Sequence, residues 1–306
     1  MLRPGSRIAV VAPGGAIGPE ALEPGLAWLR RWGWEPVLGP SVLVRHRYLA
    51  GPRDQRAADV QWALTAPDLD AVWFARGGYG TSQILRSLDW ASFARRPVIG
   101  FSDASGLLWA LARRGLPAIH GPVLSTLGDP PRGTDEQSRA VLHRLLTTGE
   151  GPVLAAEHLL GPTHAVTGRV IGGNLAVLAS LAGTPEALRC DGDIVVLEDV
   201  GEAPYRLERA LCQLIDSGAL HGAAGIALGD FSTCEPQADA GYTLAEIWRD
   251  HLAPLGIPVV HGLPVGHGTR NHAFHYAGVA SLTPQGLQFT SSTSELPRGG
   301  PGRAEA

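Results

Sequence analysis

Short apolar segments alternate with amphipathic helical segments through the first half of this 306-residue chain. We predict strands at the five apolar segments, namely Ile8–Ala12, Val37–Gly39, Ala71–Ala75, Pro97–Phe101 and Ala118–His120. We predict helices where apolar residues recur at spacings of three and four, namely Ala21–Trp32, Gln55–Leu64, Ser82–Leu88, Ser105–Arg114 and Glu136–Leu146. Strands and helices that alternate in this way form a parallel sheet covered by helices. The first half is therefore predicted to be a doubly wound α/β domain, over residues 1–150.

The pattern changes near residue 150, where turn-forming residues at Gly149–Gly151 and Gly161-Pro162 predict a linker between Thr147 and Thr167. A smaller mixed α/β domain is expected to follow, over residues 165–295. Its predicted elements are strands at Ile194–Leu197 and Gly225–Leu228, helices at Leu207–Ile215 and Leu244–His251, and a hairpin of Ala277–Leu282 with Leu287–Thr290. The tail, residues 296–306, is rich in Pro, Gly and Arg, and we expect it to be disordered.

Composition narrows the classes of partner. The 29 acidic residues outnumber the 25 Lys and Arg residues, for a net charge of −4, so we expect no binding to the phosphate backbone of nucleic acid. No apolar run approaches the roughly 20 residues that span a bilayer. The amino terminus enters the first strand without a long apolar signal segment, and only three cysteines occur. We therefore expect a soluble, cytoplasmic protein without a disulfide scaffold.

Ser102 stands directly after the fourth predicted strand and before a predicted helix. Ser and Asp are common helix caps, and a cap is a sufficient explanation of Ser102-Asp103 taken alone. A strand-to-helix turn between small residues, here Gly100 and Ala104, also fits a nucleophile elbow, which lifts a serine hydroxyl to the carboxyl edge of a sheet. The α/β-hydrolase pattern has Gly where Ala104 stands, so an ordinary α/β-hydrolase is a weaker interpretation.

The glycine-rich segment Arg76-Gly77-Gly78-Tyr79-Gly80 follows the third predicted strand. Glycines allow a tight turn, but they also allow the backbone to approach a ligand closely. The carboxyl ends of parallel strands lie at one edge of the sheet, so this loop and Ser102 are expected to be neighbours. Its amide groups could then help to form an oxyanion hole.

Two segments of the second half could supply an acid and a base. Glu198 is the first acidic residue after the apolar segment Ile194–Leu197, and solvated charge at a strand end is the simpler explanation for it. His267 lies between Gly266 and Gly268, which permit close approach to another part of the chain. A serine nucleophile needs a histidine base, and that histidine needs a carboxylate that orients it.

A metal or nucleotide cofactor has weaker support. The spacing of His267, His272 and His275 matches no helical ligand pair, and no cysteine or paired carboxylate joins them. The segment Pro13-Gly14-Gly15-Ala16-Ile17-Gly18 follows the first strand but has Pro13 where a dinucleotide-binding loop begins with glycine. We expect neither a metal nor a cofactor.

Taken together, these motifs and their order resemble the LD-carboxypeptidases, a family of serine peptidases that also includes microcin C self-immunity peptidases. The matching segments run through most of the chain and are Ile8–Pro13, Ala75–Gly80, Gly100–Asp103, His120–Pro122, Gly172–Asn174, Leu197–Glu202, Pro204–Arg206 and Gly266–Gly268. A set of motifs in one order is more specific than any single motif.

The resemblance implies a catalytic triad of Ser102, Glu198 and His267, split between the two domains. It also implies that backbone amides of Gly78 and Asp103 bind the oxyanion, that no metal takes part, and that the protein forms a homodimer. The implied reaction removes the terminal D-alanine from murein tetrapeptides during peptidoglycan recycling. The candidates for substrate binding are Arg76, Gly77 and Arg206. Either arginine would suit the terminal carboxylate of a peptide.

Two other functions remain open at this point. A microcin-immunity peptidase would cleave the amide that joins an acidic aminoacyl group to a nucleotide analogue. A non-catalytic ligand-binding protein could use the same glycine loops at the edge of the sheet. A reagent directed at active-site serines would label Ser102 in an enzyme and leave it unlabelled in a binding protein.

Overall fold

The structure is a computed structural model, and it describes residues 1–128 and 133–290. The tail that we expected to be disordered, residues 296–306, lies outside the described residues, as do the last residues of the predicted second domain. None of the helices in the described part of the chain has the length and hydropathy that a membrane crossing requires.

The five strands predicted in the first half form a parallel sheet, which confirms the α/β fold class. They are β1 (Arg7–Val11), β2 (Glu35–Leu38), β3 (Ala71–Phe74), β4 (Val98–Gly100) and β5 (Ala118–His120). Their order in the sheet is β2-β1-β3-β4-β5. All four residues of β3 are buried, as expected for a central strand with helices on both faces.

In the described residues of this half, five α-helices accompany the sheet. They are α1 (Pro19–Arg31), α2 (Arg53–Thr65), α3 (Thr81–Ile84), α4 (Ser105–Ala112) and α5 (Glu136–Thr148). The helix predicted at Ser82–Leu88 is shorter than expected, because α3 gives way to a 3₁₀ turn at Leu85–Ser87. Helix α5 is preceded by an Asp135 cap and followed by Gly149 in the left-handed conformation, positions at which Asp and Gly are common.

The second half is built on an eight-stranded mixed sheet. Its strands are β6 (Val153–Ala155), β7 (Glu157–Leu160), β8 (Val166–Asn174), β9 (Ile194–Val200), β10 (Gly225–Ser232), β11 (Val259–His261), β13 (Val279–Thr283) and β14 (Gly286–Phe289). The strand order is β6-β14-β13-β8-β9-β10-β11-β7. Strands β13 and β14 form the predicted antiparallel hairpin. Helices α6 (Leu175–Ser180), α7 (Pro204–Asp216) and α8 (Leu244–Leu252) complete this half.

The segment Thr147–Thr167, within which we expected a linker, contains two strands that the sequence did not predict, β6 and β7. These two strands occupy opposite edges of the second sheet although only Ala156 separates them along the chain. The sheet must therefore curl until its edges converge. Its inner face encloses a separate apolar core that includes Val196, Val265 and Leu287.

The two halves share strands and core. Strand β12 (Phe274–His275) comes from the second half but pairs antiparallel with β5, the outer strand of the parallel sheet. One apolar cluster joins Leu107 of α4 to Leu175 of α6 and Leu207 of α7. This shared packing fixes the carboxyl end of β4 against the second sheet. The domain boundary near residue 150 remains a prediction.

Candidate active site

Ser102 begins a single 3₁₀ turn between β4 and α4 and has a φ of +62°. This left-handed conformation costs a non-glycine residue free energy and is typical of a strained strand-to-helix turn. A Cβ on Gly100 would lie only 2.8 Å from the Cβ of Ala104. The turn therefore requires very small residues two positions before and two positions after Ser102, and Gly100 with Ala104 satisfies this requirement.

His267 connects Ser102 to Glu198 in one hydrogen-bonded chain. Its Nε2 lies 2.9 Å from the Oγ of Ser102, and its Nδ1 lies 2.6 Å from Oε2 of Glu198. The serine comes from the parallel sheet, whereas the other two residues come from the second half. The structure thus brings together the three residues that the sequence predicted as a triad.

Glu198 lies within β9 and not after it, because this strand continues to Val200. Its side chain is fully buried, and burial raises the pKa of the carboxyl group while the neighbouring His267 opposes that shift. In the next strand, a Cβ on Gly229 would lie 3.2 Å from the Cβ of Glu198 and 2.3 Å from the carbonyl oxygen of Val265. Glycine at this position lets the His267 loop pack onto the acid.

The His267 imidazole is mostly buried, with 18% of its side chain exposed. Burial by itself lowers the pKa of His267, but the charge and hydrogen bond of Glu198, together with the smaller contributions of Asp199 and Asp230, outweigh burial and raise the pKa above its ordinary value of 6.5. A histidine with this environment stabilises its own protonated form. Such an arrangement suits a base that must hold a proton briefly.

Gly77 and Gly78 place backbone beside the serine hydroxyl. A Cβ on Gly77 would lie 2.9 Å from the Oγ of Ser102, and Gly78 has a φ of +106°. Among the described residues, neither the Gly78 amide nor the Asp103 amide donates to a protein acceptor. Free amides next to a nucleophile are the usual components of an oxyanion hole.

A pocket of about 310 Å³ opens onto Ser102 and His267. Arg76 lines it together with apolar side chains that include Ile17 and Val123. Ser125 and Thr126 also line it, and our sequence analysis missed both residues. They follow β5 at the same edge of the sheet as Ser102, which is the signal that could have identified them.

The two candidate arginines differ in position. Arg76 lies in the pocket and donates a hydrogen bond of 2.7 Å to the carbonyl oxygen of Ala16. Arg206 lies near the start of α7 with 59% of its side chain exposed, 3.5 Å from the carboxylate of Glu202. It is not among the residues that line this pocket. The structure therefore brings Arg76, and not Arg206, next to Ser102.

Comparison with known proteins identifies the family to which the chain belongs. Residues 8–121 match the model of the LD-carboxypeptidase N-terminal domain, and residues 167–282 match that of the C-terminal domain. The murein tetrapeptide carboxypeptidase of Pseudomonas aeruginosa is 44% identical over 92% of this chain and 95% of its own. The microcin C7 self-immunity protein of Escherichia coli is 27% identical over 79% of each chain.

A solved structure shows the same fold. The muramoyltetrapeptide carboxypeptidase of Oxalobacter formigenes has a TM-score of 0.82 and 32% identity, and the match covers 91% of this chain and 95% of that one. Sequence and structure therefore agree over nearly the whole length of the chain, and the protein is a member of the LD-carboxypeptidase family of serine peptidases.

Proposed function

We propose that this protein is a serine LD-carboxypeptidase that removes the terminal D-alanine from murein tetrapeptides. The observation that carries the proposal is the continuous chain of hydrogen bonds from Glu198 through His267 to the Oγ of Ser102, at the wall of a pocket. The 44% identity to a murein tetrapeptide carboxypeptidase supports the choice of substrate.

In the proposed reaction, Ser102 is the nucleophile and His267 is the base. His267 takes the Ser102 proton through Nε2 while Oγ attacks the carbonyl carbon of the diamino acid. The Gly78 and Asp103 amides bind the resulting oxyanion. His267 then gives the proton to the leaving nitrogen, D-alanine departs, and an acyl-enzyme remains.

Water completes the cycle. His267 accepts a proton from the attacking water, the ester to Ser102 breaks, and the tripeptide leaves with a new carboxylate as Ser102 regains its proton. Glu198 holds the imidazole in the required tautomer and stabilises its protonated form throughout. Its burial suits this role, because a charge acts more strongly in a medium of low dielectric constant.

Arg76 is the proposed partner of the substrate's terminal carboxylate. Its guanidinium lies in the pocket beside Ser102, and the bond to Ala16 restricts its position. The apolar side chains of Ile17 and Val123 suit the small methyl group of D-alanine. Gly77 contributes to binding by leaving room for the substrate backbone, since any side chain there would contact Ser102.

We also propose a cytoplasmic location, a homodimer, and two domains over residues 1–150 and 165–295. A cytoplasmic location would suit the recycling role that the family resemblance implies, and the same resemblance implies a homodimer. Analytical ultracentrifugation of the full chain would show whether the dimer forms, since a monomer at micromolar concentration would contradict it.

A second candidate function is cleavage of aminoacyl-nucleotide amides, as in the microcin-immunity branch. The 27% identity to the microcin C7 self-immunity protein supports it, because the same triad could attack either amide. Activity on an acidic aminoacyl sulfamoyl nucleotide but not on the tetrapeptide would favour this function over the first.

The experiment is mass spectrometry of L-Ala-γ-D-Glu-diaminopimelate-D-Ala incubated with the purified protein, with Ser102→Ala as the control. We expect the wild type to release D-alanine and the variant to release almost none. Release by both proteins would contradict the role of Ser102. Release by neither would contradict the murein substrate, and labelling by a serine-directed reagent would then distinguish another hydrolase from a binding protein.

A further inference from the structure

The side chain of Asp103 points away from the triad and into the base of the glycine loop. It is 4% exposed, and its Oδ2 accepts hydrogen bonds from both the amide (2.9 Å) and the hydroxyl (2.6 Å) of Thr81. The carboxylate thus holds the first residue of α3, which directly follows Gly80 at the end of the Gly77–Gly80 loop.

The loop leaves no space around this carboxylate. A Cβ on Gly14, which follows β1, would lie 2.3 Å from Oδ2 of Asp103, and one on Gly80 would lie 2.9 Å from Nη1 of Arg56. Gly15 also donates from its amide to the carbonyl oxygen of Gly77, at 3.3 Å. The two glycine loops therefore pack directly on the Asp103 carboxylate and on each other.

Arg56 supplies the opposite charge beneath the same loops. It is fully buried, donates to the carbonyl oxygens of Gly80 (2.9 Å) and Gly51 (3.1 Å), and donates from Nη1 to the carbonyl oxygen of Pro13. Its charge interacts favourably with that of Asp103. A buried carboxylate and a buried guanidinium together fix the loop by contacts with its backbone.

We propose that the Asp103 side chain is a positioning group that couples the two halves of the oxyanion hole. The Asp103 amide is one proposed donor, and the Asp103 carboxylate anchors the loop that carries the other donor, the Gly78 amide. One residue thereby sets the distance between both donors and the Ser102 hydroxyl. This inference rests on the proposed serine acyl transfer at Ser102.

The test uses the hydroxyl of Thr81, which can be removed with little change in shape. Thr81→Val deletes the 2.6 Å bond to Asp103, whereas Thr81→Ser keeps the hydroxyl. We expect Thr81→Val and Asp103→Asn to lower kcat by about 10- to 100-fold with KM nearly unchanged, because a displaced oxyanion donor weakens the transition state and not substrate binding. Thr81→Ser should restore most of the activity.

A second readout separates positioning from general loosening of the fold. A peptide boronic acid, with boron in place of the attacked carbonyl carbon, forms a tetrahedral adduct with the serine and occupies the oxyanion hole. Its affinity should fall in Thr81→Val by the same factor as kcat/KM. Unchanged boronate affinity together with lowered kcat would overturn the proposal.

The chain offers a matched control. Asp59 is also buried and accepts from the amide (2.8 Å) and the hydroxyl (2.6 Å) of Ser41, but it lies outside the candidate active site. Asp59→Asn and Ser41→Ala should lower the melting temperature as much as the Asp103 and Thr81 variants and leave kcat unchanged. Equal losses of kcat in both sets would overturn the proposal, as would full activity in Thr81→Val and Asp103→Asn. An inactive wild type would instead contradict the proposed function.

Discussion

Ser102, the proposed nucleophile, and Glu198, the proposed acid that orients His267, lie in regions with different energetic costs. Ser102 sits on a strained turn with a φ of +62°, and the strain follows from a few adjacent residues between β4 and α4. Glu198 lies in a regular strand, and the cost there is the free energy of burying a carboxylate. At Ser102 the energetic cost is backbone strain, whereas at Glu198 it is the desolvation of a carboxylate, which the hydrogen bond to His267 offsets only in part.

This difference predicts how substitutions near Ser102 and near Glu198 should affect the protein. A strained turn can be relaxed by changing one residue, and the rest of the fold need not respond. A buried carboxylate depends on close packing of β8, β9, β10 and the His267 loop around it, so small volume changes there should displace the base. The variants below test the comparison, from the largest expected effect to the smallest.

Removing the charge of Glu198 should give the largest loss of activity. We expect Glu198→Gln to lower kcat/KM by about 10⁴-fold, because the neutral amide neither fixes the tautomer nor stabilises the imidazolium. In the wild type, kcat/KM should rise with pH through the pKa of His267, which Glu198 raises above 6.5.

The pH profile of the same variant gives a second outcome. Without the Glu198 charge, burial lowers the pKa of His267 against only the smaller opposing contributions of Asp199 and Asp230, so the acidic limb should move to lower pH as the plateau falls. The pH dependence of kcat/KM for both proteins measures this. A limb that stays in place would show that Glu198 does not control the base.

Adding a methyl group beside Glu198 should give the next largest loss of activity. A Cβ on Gly266 would lie 2.9 Å from the Cβ of Asp230 and 3.1 Å from Oε2 of Glu198, at a φ of +136°. We expect Gly266→Ala to lower kcat/KM by about 100-fold by displacing His267.

Gly262 in the same loop provides the matched control. It also has a positive φ, +77°, but a Cβ there meets no atom within 4 Å. Gly262→Ala should cost about 1 kcal/mol of unfolding free energy and little activity. Steady-state kinetics and denaturant unfolding of both variants check this, and equal activities would refute the packing argument.

Binding of the substrate's terminal carboxylate should depend on Arg76, which lies in the pocket beside Ser102, and not on Arg206. We expect Arg76→Met to raise KM by about 10- to 100-fold, because a charge-assisted hydrogen bond to the carboxylate is lost. Arg206→Met should leave KM nearly unchanged, since Arg206 is 59% exposed and does not line the pocket. Measured KM values of both variants for the tetrapeptide decide between the two arginines. A raised KM in Arg206→Met alone would place the substrate carboxylate beside α7.

The smallest expected effect is on stability and arises from the backbone strain at Ser102. We expect Ser102→Gly to be more stable than Ser102→Ala by about 1 kcal/mol, because glycine adopts a φ of +62° without the steric cost that alanine pays. Chemical denaturation of both inactive variants measures the difference. Equal stabilities would mean that the turn stores no strain.

Much of the fold was predictable because its signals are local. The strands of the parallel sheet are continuous apolar segments, and the structure contains each of them within two residues of its predicted bounds. Strands β6 and β7 were missed because they are edge strands of three and four residues with exposed side chains, such as Val153 and Glu157. Such short strands have no recognisable periodicity.

Strand β8 was missed for another reason. It contains Gly172 and Gly173 at positive φ, and a Cβ on Gly172 would lie 2.0 Å from the carbonyl oxygen of Val196 in β9. Glycine in a strand usually indicates a bend or a close backbone approach, and here the approach brings the backbone against β9 two residues before Glu198. Only the pairing of the two strands makes this visible.

The sequence by itself determined the parallel sheet, the turn at Ser102, and the identities of Glu198 and His267 as candidates. These follow from neighbouring residues, whose conformational preferences act over a few positions. The tertiary structure alone decided that the three side chains meet, that Arg76 and not Arg206 faces them, and that Arg56 is buried beneath the glycine loops. Such contacts join residues up to 165 positions apart, and their distances depend on packing that no local pattern specifies.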